Sequence, residues 1–187
     1  MDNYQIRIGA GKRILAVILD TIFVAILCAV VGLLFGTYLG AVAGKLLGDL
    51  LGGPVLGVFS MMIGAILGGI VSLYIVYIVY FLTDIFFAAT PGKMILGIKI
   101  GDENGSKASI GKLFVRYLLV NIVFVYQILV VIIGIMAGEQ VFSFMWQLNG
   151  WIGLVAFIGL LFIFGKAKQT IQDKISKTAV YKKADIK

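Results

Sequence analysis

Two carboxylates stand where lipid would be expected. Asp20 interrupts a long apolar run and Asp84 lies near the end of another. A charged side chain inside a membrane span costs at least about 2.5–3.5 kcal/mol on insertion scales, so it needs a compensating partner or a function. Tyr77, Tyr80 and Thr83 precede Asp84 at or near helical spacing, with Tyr74 one turn further out, which makes a polar, aromatic stripe leading to the carboxylate. Arg116 opens the third apolar run and is the expected partner of Asp20. Arg13 shares nearly the same helix face as Asp20 but lies about 10 Å shallower, and its side chain should snorkel back to the headgroups. Asn121 and Gln127 are placed to face the same interior. Two readings stand for this cluster. In one, buried ion pairs and hydrogen bonds fix helix register. In the other, Asp20 or Asp84 exchanges a small cation or a proton, and an arginine sets the pKa of the carboxyl.

The elements that must hold these residues follow from composition. Apolar residues make up 61% of the chain and charged residues 13%, against roughly half and a quarter in a soluble domain. A water-soluble fold of 187 residues could not hide so much apolar surface. Apolar runs at about 14–36, 56–88, 113–137 and 142–165 each meet the need for about 20 residues per span. The first is longer than a usual signal core and contains Asp20, so it reads as a span. The expected fold is an all-α membrane protein, a four-transmembrane-helix bundle forming a single domain over residues 1–187.

Charge sets the expected orientation. Every Lys and Arg except Lys45 falls before the first span, between the second span and the start of the third, where Arg116 lies, or after the fourth. That bias places both termini in the cytoplasm of a bacterial-type cell membrane. The net charge of +7 is accounted for by anionic headgroups at that face, with no nucleic acid needed. One cysteine and no histidine leave no Cys/His metal site and no intramolecular disulfide, and Cys28 reads as a small buried apolar residue. No cofactor is implied.

Gly32, Gly36, Gly40, Gly44, Gly48 and Gly52 recur every four residues past the first span. On a helix they line one side, where they let another helix approach closely. The neighbour is either a helix of the same chain or a second copy in a homo-oligomer. This segment is expected to extend the first helix or to break near Thr37 into an additional Gly-rich interfacial or re-entrant helix. Between the second and third spans, residues 91–111 contain Ile95, Ile98 and Ile100 followed by Asn104-Gly105, a turn dipeptide. They are expected to form a small cytoplasmic β-hairpin, with Ser109 capping the helix that follows. Residues 166–187 read as a polar cytoplasmic tail.

Several ordered pieces also carry a resemblance. They are Arg13 through Asp20 in the first span, Thr90-Pro91-Gly92-Lys93 with the residues to Ile100, Asp102 through Gly105, and Arg116. Near the end, Gln169 and Thr170 lead to Asp173 and then Thr178. In these the chain resembles the RDD family of bacterial membrane proteins over nearly its whole length. Where that family usually has a histidine before its closing aspartate, this chain has Gln172. The glycine ladder is not part of the resemblance. The family implies a candidate transporter, some of whose members act as cation/proton antiporters.

Two functions are therefore expected to compete. The first is a secondary transporter of a small cation or solute, in which Asp20 and Asp84 bind the ion, Arg116 acts as an internal cation, and Tyr77 and Tyr80 line the path. Four spans are few for a pathway, which favours a homo-oligomer. The second is a non-catalytic membrane partner, an assembly or stabilising subunit of a larger complex. An enzyme is not expected: no phosphate loop, metal-ligand grouping or serine with a plausible base is present.

Overall fold

The computed structural model describes residues 6–51 and 54–186. In chain order the elements are α1 (Ala10–Leu51), α2 (Pro54–Phe86), α3 (Pro91–Ile95), β1 (Ile98–Asp102), α4 (Ile110–Val120), α5 (Ile122–Ala137), α6 (Glu139–Leu161), α7 (Ile171–Ile175) and β2 (Thr178–Lys182). Among the described residues, three helices are long and apolar enough to cross a membrane, or four if the bent pair α4–α5 counts as one span. Their most apolar stretches have mean hydropathies of 2.9, 2.3 and 1.9, yet only 11%, 22% and 6% of those stretches is buried within the protein. Side chains such as Ile18, Leu33, Ile66 and Val155 are exposed. Lipid is the solvent that makes such a surface favourable.

The chain divides into two compact units. The unit Val17–Leu82 is a helical hairpin made of most of α1 and α2. The glycines of α1 set its spacing. A Cβ on Gly40 would lie 2.7 Å from the Met61 carbonyl oxygen, and one on Gly36 or Gly44 would lie 3.0 Å from that of Ala65 or Gly57. From α2, a Cβ on Gly68 would meet the Gly36 Cα at 2.9 Å. The backbones therefore touch along an antiparallel line, as small residues permit in lipid. Gly32 faces open space, only the helical backbone of Gly48 is described, and Gly52 lies outside the described residues.

This packing removes one of the two expected alternatives, the break near Thr37, and bears out the other. The helix does not break near Thr37 into a separate interfacial or re-entrant segment; α1 runs on to Leu51. Glycine lowers helix propensity, but these glycines fall on one face and α2 covers it. Thr37 bonds back to the Leu33 carbonyl at 2.6 Å, which its hydroxyl can do without leaving the helix.

The unit Met1–Ala16 with Thr83–Lys187 is built around a two-stranded sheet. Here an expectation is corrected. Residues 91–111 do not form their own hairpin: β1 pairs antiparallel with β2, from Ile98 opposite Lys182 to Asp102 opposite Thr178. The local turn exists, with the Gly105 amide donating to the Asp102 carbonyl, but only one bridge, Gly101 to Lys107, follows it. The tail is accordingly a folded element, and Val180 and Tyr181 are almost wholly buried. The β1 side chains Ile98 and Ile100 pack with Ile8, Ala16, Ala88, Leu113 and Val180 in one core.

The third apolar run is not one straight span. It begins earlier, at Ile110, where Ser109 caps α4 by accepting from the Lys112 amide, and α4 meets α5 at a bend of 73° at Asn121. The Asn121 carboxamide donates to the Tyr117 carbonyl at 2.8 Å, an alternative partner of the kind that ends helices. Gly138 then turns α5 into α6 with φ of +88°, a conformation that favours glycine. The Tyr126 hydroxyl joins the two helices by donating to the Met145 carbonyl at 2.7 Å.

Candidate functional site

The charged residues sort into two places. In the sheet-containing unit, five of them alternate in sign along one chain of contacts. Lys93 donates to both oxygens of Asp84 at 2.8 and 2.7 Å. Arg116 donates to Asp84 at 3.2 Å and, through Nε, to Asp173 at 2.8 Å. Arg13 closes the series on the other Asp173 oxygen at 2.5 Å. Each member is held by its element: Asp84 by the last turn of α2, Lys93 by α3, Arg116 by α4, Asp173 by α7 and Arg13 by the first turn of α1.

Asp173 is the centre of this network and is fully buried. It also forms a capping box with Thr170: its amide donates to the Thr170 hydroxyl at 3.1 Å and its Oδ2 accepts from the Thr170 amide at 3.2 Å. Burial alone would raise its pKa, but the Arg116 and Arg13 guanidinium groups outweigh this and hold the carboxyl well below the usual range. A third guanidinium ties down the same segment. Arg7 donates to the Gln169 side chain at 2.8 Å and to the Glu103 carbonyl at 3.0 Å, while Gln169 donates to the Thr178 carbonyl at 2.7 Å. Arg13 adds a bond to the Lys168 carbonyl at 2.8 Å, where the backbone has a positive φ of 48°.

Asp20 belongs to the helical hairpin. Followed back along both helices, the register that sets Gly40 against Met61 brings Asp20 opposite Tyr80. The Tyr80 hydroxyl donates to Asp20 Oδ1 at 2.7 Å, and the two residues are 6% and 4% exposed. Asp20 lines a cleft of about 290 Å³ with Thr21, Cys28, Tyr77 and Phe81 among its walls. Tyr77 packs on Phe81 with ring centroids 4.6 Å apart.

This geometry changes one expected pairing. Arg116 was the expected partner of Asp20; it is engaged by Asp84 and Asp173, while Asp20 takes a phenolic donor. Tyr77 and Tyr80 were expected to lead to Asp84 and instead border Asp20, because the face of α2 they occupy is the one that meets α1. In the sequence Asp173 stands out only through the resemblance, and nothing local marks the two arginines that converge on it, Arg13 from the start of the chain and Arg116 from its middle.

The model of the RDD family matches residues 7–177. The chain belongs to the RDD family. No curated protein and no solved structure matches it. In this RDD protein the motif residues Arg13, Lys93, Arg116, Gln169, Thr170, Asp173 and Thr178 lie in the same unit, all but Lys93 buried. Pro91 and Gly92 serve the charge network by starting α3, with proline in its first turn, so that Lys93 reaches Asp84. Among the described residues no three Cys, Asp or Glu side chains gather as a metal site would require.

Proposed function

We propose that this RDD protein is a secondary transporter that exchanges a proton for a small monovalent cation at Asp20. The observation that supports it is a buried carboxylate on a candidate span, bonded to the Tyr80 hydroxyl at 2.7 Å and bordering a cleft. An ionisable group at such depth is retained against its desolvation cost, and ion and proton pathways are its usual use. A single carboxylate balances one positive charge, which suits a proton or an alkali cation. The phenol fits both states, since it can donate to the carboxylate and can turn its oxygen to a protonated carboxyl or a bound cation. Asp84 and Arg116 are satisfied in the charge network and hold the fold.

In this reading the bent pair α4–α5 acts as one span and brings the number of spans to four, with both termini in the cytoplasm as the basic residues direct. The pathway is completed by a second copy, since four helices enclose little space. The test is proton movement in liposomes containing the purified protein and a trapped pH dye. Addition of Na+, K+ or Li+ should release or take up protons. A flat response from folded protein would favour a non-catalytic subunit of a membrane complex.

A further inference from the structure

A second cleft lies in the sheet-containing unit. It has a volume of about 350 Å³ and is walled by Leu119 and Ile122 at the α4–α5 bend, by Trp151, Ile152, Val155 and Ala156 of α6, and by Ile171 and Ile175 of α7. One polar group interrupts this apolar wall, the carboxamide of Gln172. Gln172 is 6% exposed, and its Oε1 is buried with no hydrogen-bond partner among the described residues. Its Nε2 faces the Ala156 carbonyl at 3.4 Å, which fixes the orientation, since a flipped amide would set two oxygens against each other. Gly159 makes room for this side chain: a Cβ there would lie 3.3 Å from Nε2. A buried acceptor left without a donor costs about 1–3 kcal/mol, so its presence in an apolar cleft calls for a ligand that brings one.

The surroundings specify that ligand. The bend at Asn121 separates α4, which carries Lys112 and Arg116, from α5, which carries no charge. A lipid reaching that bend would have charged groups on one side of it and apolar side chains on the other. Lys174 stands on the same short helix as the lining residues Ile171 and Ile175, with its ammonium 5.4 Å from the Phe162 ring centre. We infer that the cleft binds a phosphatidylglycerol-type phospholipid. An acyl chain lies along the apolar wall, a headgroup hydroxyl donates to Gln172 Oε1, and the phosphate faces Lys174. An ethanolamine headgroup could also donate, but it would bring a second ammonium to Lys174.

Trp151 lines the cleft and reports on it. With Trp146→Phe as background, Trp151 fluorescence is followed in phosphatidylcholine vesicles containing increasing amounts of phosphatidylglycerol with brominated chains. Quenching should saturate at a low mole fraction and be reversed by unbrominated phosphatidylglycerol but not by phosphatidylethanolamine. Gln172→Leu should raise the half-saturating fraction about five- to tenfold, the factor one hydrogen bond supplies. Val155→Phe, at a side chain 69% exposed, should abolish the saturable phase by filling the cleft without disturbing the fold. Quenching that rises in proportion to the brominated lipid, or equal competition by phosphatidylethanolamine, would overturn the assignment.

Discussion

The Arg13 guanidinium and the Asp173 carboxylate are separated by 160 residues and meet at 2.5 Å. Because Asp173 also caps α7 and receives Arg116, this contact anchors the closing segment to the first turn of α1. Asp173→Asn would leave the buried Arg13 guanidinium without its carboxylate and Arg116 with Asp84 alone. Breaking a buried pair in this way costs about 3–5 kcal/mol. Thermal unfolding of the detergent-solubilised variant should show the loss, whereas a change below about 1 kcal/mol would put the network in the class of exposed pairs.

The same carboxylate gives stability a pH dependence of known sign. Its folded pKa lies below its ordinary value of about 3.9. The stabilisation is therefore fully present above that value and is lost as pH falls below it toward the folded pKa. The midpoint of thermal unfolding should be nearly level from pH 7 to about pH 5 and then decline, with a shallower decline in Asp173→Asn.

Gly40 and Gly32 belong to one ladder but should respond oppositely to substitution. Gly40→Ala places a methyl 2.7 Å from the Met61 carbonyl, so the helices must separate, at a cost of about 1–3 kcal/mol. Gly32→Ala points into open space and should be neutral or gain up to about 1 kcal/mol from helix propensity. Parallel unfolding curves of the two variants separate these outcomes, and equal losses would contradict the packing.

Tyr181 in β2 is fully buried, and its hydroxyl donates to the Glu103 carbonyl at 2.9 Å. Tyr181→Ala should cost about 3–5 kcal/mol, as large aromatic truncations do. Tyr181→Phe should cost about 1 kcal/mol, the net worth of the hydrogen bond. Unfolding in the two variants would show little difference if the tail were a loose appendage.

The membrane helices and the residues worth examining were legible because both signals are local. A charge in an apolar run is conspicuous whatever surrounds it, and Asp20, Asp84 and Arg116 were visible on that ground. Their partners were not, since pairing depends on which helix faces meet. The register of α1 against α2 gives Asp20 to Tyr80, and the placement of α7 gives Arg116 to Asp173. β1 was readable as a strand from Ile98 and Ile100, but Asn104-Gly105 pointed to a neighbouring partner while the pairing strand is β2 in the tail. The bend at Asn121 left little trace, because the flanking residues are apolar on both sides.

Proton flux through Asp20 is the most direct test of the account. Wild type, Asp20→Asn and Tyr80→Phe, each confirmed to be folded, would be compared in liposomes with a trapped pH dye on addition of Na+, K+ or Li+. Wild type should show cation-dependent proton movement, Asp20→Asn should lose at least about tenfold of its rate, and Tyr80→Phe should lose a smaller part, near the factor of about five to ten that one hydrogen bond supplies. Full cation-dependent flux in folded Asp20→Asn would contradict the assignment of this carboxylate as the exchanging group.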